Sequence, residues 1–188
     1  MNRSNNTSWM IAFAGVIFLA LSMPASAGLV TVRFDPADQT VSVGDTFTVG
    51  IVADISDPVV GWGLDVNAVM RNVISPVGMP AIGPLWVPTY APDGDGLAGL
   101  AFSTSVSGPG VLLATLTFHA DDIGEVDLNA SVTPGDPWEG FALDSSGFAT
   151  LAFEPGHVIV TPEPATAALL AVGGFLAVRA HRRRGASI

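Results

Sequence analysis

The stretch VSVGDTFTVGIVAD, residues 41–54, carries the clearest structural signal in the chain. After the turn at Gly44 and Asp45, apolar residues occupy every second position, namely Phe47, Val49, Ile51 and Ala53. Successive side chains of a β-strand point to opposite faces of its sheet. The alternation therefore predicts a strand with one face in a hydrophobic core.

Three further stretches show the same two-residue period: GWGLDVN at 61–67, VLLATLTFHA at 111–120 and EVDLNASV at 125–132. The predicted inward positions are Trp62, Leu64 and Val66 in the first, Leu112, Ala114, Leu116 and Phe118 in the second, and Val126, Leu128, Ala130 and Val132 in the third. Each stretch is predicted to form a half-buried strand.

Shorter strand candidates lie at 29–34, 39–43, 69–75, 97–104, 148–153 and 157–160. Turn sequences rich in Gly, Pro and Asp, such as PDGDG and TPGDP, separate them, and no stretch before Pro162 has a sustained helical period. Many short strands with such turns predict an all-β sandwich. A strongly twisted barrel is the alternative that this pattern leaves open.

Several motifs resemble those of the cohesin-like sandwich family. They are the VSVGD turn at 41–45, the VGWGLDV segment, and the GVLLATLTF strand that is followed by the turn at Gly124. The resemblance covers about residues 30–160 and implies a jelly-roll sandwich of about nine strands, related to some carbohydrate-binding modules. Cohesins bind dockerin modules through one sheet face, but no residue here marks that face, so dockerin binding is not inferred.

Charge and composition exclude several classes of function. The chain of 188 residues has a net charge of −10 and no cysteine. Residues 28–160 hold sixteen acidic side chains and two arginines, which gives this part a net charge of −14. Nucleic acids and anionic membrane surfaces would repel such a domain, so neither is expected as a partner. Thiol catalysis and cysteine–zinc sites are excluded as well.

The first 27 residues are typical of a secretory signal peptide. An apolar run at 10–23 follows a polar start with one arginine, and Ala25-Ser26-Ala27 provides a small-residue cleavage site before Gly28. The alternative is a retained membrane helix, but the run is shorter than the roughly 20 residues that span a bilayer. We therefore expect an exported domain at 28–160.

The last 28 residues, 161–188, combine three features of a membrane-directed tail. Pro162-Glu163-Pro164 precedes an apolar run at 165–178, and an arginine cluster follows, namely Arg179, Arg182, Arg183 and Arg184. The run would form a helix about 21 Å long, which snorkelling flanks could extend across the membrane. The arginines predict a cytoplasmic C-terminus.

This tail resembles the PEP-CTERM sorting signal of Gram-negative bacteria. The resemblance implies that an exosortase-type processing protease recognises Pro162, Glu163 and Pro164 and cleaves there. It also implies transient anchoring in the inner membrane, followed by release to the cell surface or into an exopolysaccharide matrix. The alternative is an ordinary C-terminal anchor whose entrance contains prolines.

Candidate binding residues lie in the stretches that are predicted to be loops. Trp86 and Tyr90 in PLWVPTY and Trp138 in GDPWEGF are flat aromatics that could stack on sugar rings, or could instead plug the end of the sandwich. Asp93 and Asp95 in PDGDG are candidate calcium ligands, although the complete calcium-loop pattern is missing. A second acidic cluster lies at 121–127, and no other cofactor is expected.

Catalysis has little support in the sequence. There is no G-x-S-x-G nucleophile motif, and His119 and His157 are the only histidines between residues 28 and 188 apart from His181 in the tail. We therefore predict an exported, non-catalytic surface or exopolysaccharide-matrix protein. The alternatives are a carbohydrate-binding or protein-binding module of the matrix and, with less support, a secreted hydrolase.

Overall fold

The structure of the chain is a computed structural model that describes residues 28–68, 72–89 and 96–163, together with positions 169 and 172. In these ranges no helix has both the length and the apolar character needed to cross a membrane. The predicted signal-peptide helix at 1–27 lies outside the described residues. So does nearly all of the predicted membrane helix that follows Pro164.

The described residues form twelve β-strands, whereas the family resemblance implied about nine. They are β1 (Leu29–Asp35), β2 (Asp38–Ser42), β3 (Thr46–Ala68), β4 (Ile74–Pro76), β5 (Ala81–Ile82), β6 (Trp86–Thr89), β7 (Leu97–Ala101), β8 (Val106–Ala120), β9 (Gly124–Ser131), β10 (Gly140–Leu143), β11 (Thr150–Phe153) and β12 (Gly156–Thr161). The difference arises from strands of two to four residues, which are too short to show a period in the sequence.

Strand β3 connects two sheets. In the first sheet, β1 and β8 flank its first half, β10 and β7 flank its second half, and β11, β4, β5 and β6 extend the sheet outward. Its last four residues, Asp65 to Ala68, pair instead with β9, which continues through β12 to β2. Strands that change sheet in this way form the corners of β-sandwiches.

The sequence predicted separate strands in the stretches 41–54 and 61–67, and that prediction is wrong. β3 runs for 23 residues without interruption. Its register opposite β8 shifts between Ala53 and Val59. Ser56, Asp57 and Pro58 are exposed in this irregular part, so the proline falls where a ladder hydrogen bond is not required.

The core confirms most of the predicted inward positions. Phe47, Val49, Ile51 and Ala53 of β3 are buried, as are Val126 and Leu128 of β9. The prediction for β8 is wrong at one position, because Leu113 is fully buried whereas Leu112 is only partly buried. Ile51 pairs with Ala114 and Val52 with Leu112, so Leu113 is the extra residue of a bulge that reverses the alternation.

Asp54 fastens three strands at the edge of this core. Its Oδ2 accepts a 2.6 Å bond from the Arg33 guanidinium on β1, and its Oδ1 accepts one of 2.6 Å from the Gly110 N–H on β8. Gly110 has a φ of 63°, a conformation that favours glycine. The bonds from Arg33 and Gly110 hold the pKa of Asp54 below its usual value.

We predict that Asp54→Asn removes part of the acid sensitivity of the fold. A lowered pKa means that the folded state binds fewer protons than the unfolded state, whose Asp pKa is about 3.9. The stabilisation is therefore complete above that value and is lost as the pH falls through the folded-state pKa. Because both partners are partly exposed, the effect should be at most about 1 kcal/mol.

Urea unfolding from neutral to acidic pH measures this contribution. The difference between wild type and Asp54→Asn should shrink as the pH falls. The exposed carboxylate of Asp57 makes no hydrogen bond within the described residues, so Asp57→Asn serves as the control. A difference that stays constant over the whole pH range would contradict the prediction.

The loop before β10 crosses directly over β3 at Gly63. A Cβ atom on Gly63 would lie 2.1 Å from the carbonyl oxygen of Trp138, which is far inside van der Waals contact. The obstacle is backbone, so it cannot rotate away as a side chain would. Glycine at this position therefore allows the loop that carries Trp138 to lie against the sheet.

We predict that Gly63→Ala displaces this loop and lowers the free energy of unfolding by about 1–3 kcal/mol, as overpacking does. Gly50→Ala is the matched control on the same strand, because its Cβ would have its nearest atoms at 3.4 Å. Urea unfolding should show a clearly smaller loss for the control. Equal losses in the two variants would contradict the proposed close approach.

Candidate functional site

The outer face of the first sheet has a flat, apolar floor where β10, β3, β7 and β6 lie side by side. Cross-strand pairing places Ala142, Gly61, Leu100 and Val87 in one row across these strands, and Gly140, Gly63, Ala98 and Thr89 in the next. Most of these side chains are small or absent. Larger side chains on adjacent segments therefore project above the floor.

Two exposed aromatic residues form the walls of a groove on this floor. Trp138 is 62% exposed and Phe148 is 51% exposed, and Leu100 on the floor is 53% exposed. Phe148 packs over Gly140, where a Cβ atom would lie 3.1 Å from its ring. The groove has a volume of about 430 Å³ and is lined by Gly61, Trp62, Thr89, Ala98, Leu100, Pro137, Trp138, Gly140, Ala142 and Phe148.

Two tryptophans lie beneath the floor and support it. Trp62 and Trp86 meet edge to face, with ring centroids 6.2 Å apart and planes at 83°. The Trp86 indole N–H donates a 3.0 Å hydrogen bond to the Leu112 carbonyl oxygen. The Trp62 indole N–H, also buried, has no acceptor within the described residues.

The prediction that Trp86 is an exposed loop residue is therefore wrong. Trp86 is only 5% exposed and begins β6, in register with Ala101 of β7. The prolines at 84 and 88 suggested a loop, but they also suit a strand that pairs along one side only. By contrast, Trp138 lies exposed in a loop, as the sequence predicted.

Most of the remaining predicted site residues lie outside the described residues. These are Tyr90, the calcium candidates Asp93 and Asp95, the signal-cleavage residues Ala25 and Ala27, Pro164, and the arginines at 179 and 182–184. Gly28 is buried next to the start of β1, and Pro162 and Glu163 are exposed after the end of β12. Of the predicted binding residues that the structure describes, Trp86 and Trp138, only Trp138 lines the groove.

The histidine clusters do not have the geometry of a hydrolase. His119 Nδ1 lies 2.8 Å from Asp121 Oδ1, and the Ser75 side chain bonds to the same carboxylate, so these two bonds lower the pKa of Asp121. Asp121 therefore stands between the serine and the histidine. A catalytic triad needs the histidine in that place, so that it can take the proton of the serine hydroxyl.

His157 makes a similar surface pair with a different aspartate. Its Nδ1 lies 2.9 Å from Asp127 Oδ1, and the Asp127 carboxylate raises the pKa of His157 above its usual value. Within the described ranges, no three His, Asp or Glu side chains are grouped so that they could hold a metal ion by themselves. These pairs are therefore best explained as local surface contacts.

The sequence did not identify the floor of the groove or its second aromatic wall. A signal was present in GWGLDVN, because glycine at 61 and 63 alternates with the inward Trp62 and Leu64. Glycine on one face of a strand either lets another backbone lie close to that face or leaves the face open. Phe148 offered no such signal, since its position depends on pairing with Ala142 across a loop.

Comparisons with known proteins support the fold. Neither a protein-family model nor a curated protein matches this sequence. Among solved structures, the chain is similar to a non-cellulosomal cohesin from the hyperthermophilic archaeon Archaeoglobus fulgidus, with 15% identity and a TM-score of 0.54 over 75% of this chain and 96% of the cohesin.

Two bacterial cohesins give the same result. One is a type I cohesin from Clostridium thermocellum, solved in complex with a dockerin, with 10% identity and a TM-score of 0.53 over 73% of this chain and 95% of the other. The second is the cohesin module of a family 33 glycoside hydrolase from Clostridium perfringens, with 10% identity and a TM-score of 0.52 over 74% and 100%. The described part of this chain is a cohesin-like β-sandwich.

Proposed function

We propose that this chain is an exported, non-catalytic binding module of the cell surface or extracellular matrix. The observation that carries the proposal is the apolar groove on the outer sheet face, between Trp138 and Phe148. Exposed apolar side chains that cluster around a concave surface are typical of interaction and ligand-binding sites. Trp residues in particular supply much of the binding energy in known interfaces.

The groove suits a protein partner better than a sugar chain. Among the described residues, Thr89 contributes the only side-chain hydroxyl group of the groove, and the carboxylates of Asp136 and Glu139 do not line it. Sugars need several hydrogen bonds as well as a stacking surface, whereas apolar side chains of a protein need only the apolar walls. The cohesin of similar fold that was solved with a dockerin shows that such a sandwich can serve as a protein-binding scaffold.

A glycan remains the second candidate because of one observation. The Trp138 ring is the most exposed tryptophan within the described residues, and a flat exposed indole can stack on a sugar ring. Exopolysaccharide of the matrix would then be the ligand.

The non-catalytic part of the proposal is supported by the histidine geometry. Both His119 and His157 have their Nδ1 atoms directed at aspartates, and the serine near His119 bonds to that aspartate instead. The apolar groove is lined by neither histidine. The apolar groove and the two histidines are therefore in different places.

The route of export is proposed from the sequence. The signal peptide at 1–27 would direct the chain across the inner membrane, and the tail at 161–188 would anchor it there until an exosortase-type protease acts at Pro162, Glu163 and Pro164. Pro162 and Glu163 are exposed after the last strand, so a protease could reach them without unfolding the sandwich. The released domain would carry none of the tail arginines.

The groove proposal predicts that Trp138→Ala and Phe148→Ala each weaken retention of the protein on extracellular matrix prepared from the producing cells. The loss of an aromatic wall should reduce the apparent affinity by about 10-fold or more. The measurement is a sedimentation assay with the full chain. Melting temperatures should stay close to that of the wild type, because both side chains are exposed.

The control variant is Ile123→Ala, which removes a side chain that is 56% exposed in the turn between β8 and β9. It should bind like the wild type. Treatment of the matrix with protease should abolish retention if the partner is a protein, and digestion of its polysaccharide should abolish it if the ligand is a glycan. Full retention of both aromatic variants would contradict a role of the groove.

The sorting proposal predicts a shortened chain at the cell surface. Mass spectrometry of the released protein should give a C-terminus near Pro162, Glu163 or Pro164. Joint replacement of Pro162 and Pro164 by Ala should leave the chain uncut in the inner-membrane fraction, whereas Pro155→Ala, before β12, should not affect cleavage. A released protein that still ends at Ile188 would contradict the proposal.

A further inference from the structure

Two carboxylates are held together under the loop that carries Trp138. Thr133, which follows β9, donates its backbone N–H to Glu139 Oε2 and its hydroxyl to Asp65 Oδ2, the latter at 3.1 Å. Asp65 and Glu139 are therefore bonded to the same residue. A single threonine thus orients one oxygen of each carboxylate.

The second oxygen of each carboxylate has no partner. Asp65 Oδ1 and Glu139 Oε1 are inaccessible to solvent and accept no hydrogen bond within the described residues, and the Glu139 side chain is only 6% exposed. A carboxylate oxygen that is buried without a hydrogen-bond partner lowers the stability of the folded state much more than an exposed one does. Two such oxygens, on carboxylates that share Thr133, indicate that a positive charge belongs at this pair.

The surrounding charges are also negative, which increases the need for a positive charge at this pair. Asp136 lies in the same loop and adds a third negative charge, and the salt bridges of the described residues involve Arg33, His119 and His157 at other places. The protein itself supplies no cation here within the described ranges.

We propose that Asp65 and Glu139 bind a divalent cation of the calcium class, with Thr133 as the residue that positions both carboxylates. A cavity of about 590 Å³ is lined by Thr133, Asp136 and Glu139 among others. Asp65 does not line it, so an ion that enters from this side must displace the loop slightly to reach both carboxylates. The site lies apart from the calcium candidates Asp93 and Asp95, which the sequence suggested.

Calcium fits this donor set better than other metals. All the donors are oxygen atoms, whereas zinc prefers nitrogen and sulfur ligands. Ca²⁺ accepts 6–8 oxygen ligands in irregular arrangements, so waters and backbone carbonyls can complete a shell that begins with two carboxylates. Mg²⁺ requires a stricter octahedron, and with few protein ligands we expect a weak site, with Kd of about 10⁻⁴–10⁻³ M.

A shared proton is the competing explanation. If one carboxyl group were protonated, it could donate to the other, and both unpartnered oxygens would be satisfied without a metal. The two explanations differ in what stabilises the protein. A cation site responds to calcium at neutral pH, whereas a shared proton responds to acid and is indifferent to calcium.

The test is thermal unfolding of the full chain at neutral pH, after treatment with EDTA and dialysis. Addition of CaCl₂ to about ten times Kd should raise the Tm by about 3–6 °C. MgCl₂ at the same ionic strength should give a smaller rise. Isothermal titration of the wild type with CaCl₂ measures the same binding directly and does not depend on any variant.

The variants Glu139→Gln and Asp65→Asn keep the shape of the side chains but should abolish the calcium response. Glu125→Gln, an exposed acid on β9, is the matched control and should keep it. Absence of a calcium-specific rise in the wild type, or a full rise in Glu139→Gln, would overturn the proposal. A Tm that rises on acidification without a calcium effect would assign the pair to a shared proton.

This inference does not rest on the proposed function. Its readout is stability, whereas the groove is tested by retention on the matrix. Failure of calcium binding would leave the groove proposal intact, and loss of the groove proposal would leave the cation site to stand or fall by its own titration.

Discussion

The rest of the structure depends on the continuous course of β3 through both sheets. Five of the other eleven strands pair with it, and it is hydrogen-bonded in both sheets. With no cysteine in the chain, no disulfide can hold the two layers together, so the corner strand and the buried side chains between the layers must do so. Any change that interrupts β3 would therefore separate the sheets rather than remove one strand.

The same strand also creates the candidate binding surface, through the two-residue period of its side chains. In GWGLDVN, Trp62 and Leu64 point into the core, and the alternate positions Gly61 and Gly63 face outward. Core and groove are thus two faces of one segment. Gly61 leaves room for the Leu100 side chain on the outer face, and Gly63 lets the loop at 137–139 lie against the strand. Alternate residues of this segment thus belong to the core and to the candidate binding surface.

Regular alternation made the fold predictable from sequence, and local irregularity limited that prediction. The inward positions of β3 and β9 follow from period alone. Leu112 and Leu113 could not be assigned correctly, since a bulge depends on how two strands align and leaves no mark in either sequence. The prediction of an exposed Trp86 failed for a related reason, because β6 forms only by pairing with β7, and this pairing cannot be read from its sequence. The groove needed four strands in register, and the Asp65–Glu139 pair joins residues 74 positions apart.

The loop at 133–139 connects the two proposals physically. Trp138 extends outward from it as a wall of the groove, and Glu139, the next residue, is buried and shares Thr133 with Asp65. A cation between the carboxylates would restrain this loop and with it the position of the indole ring. By thermodynamic linkage, any partner that binds more tightly to the restrained loop must strengthen cation binding by the same factor. The acidic pair would then influence the groove without lining it.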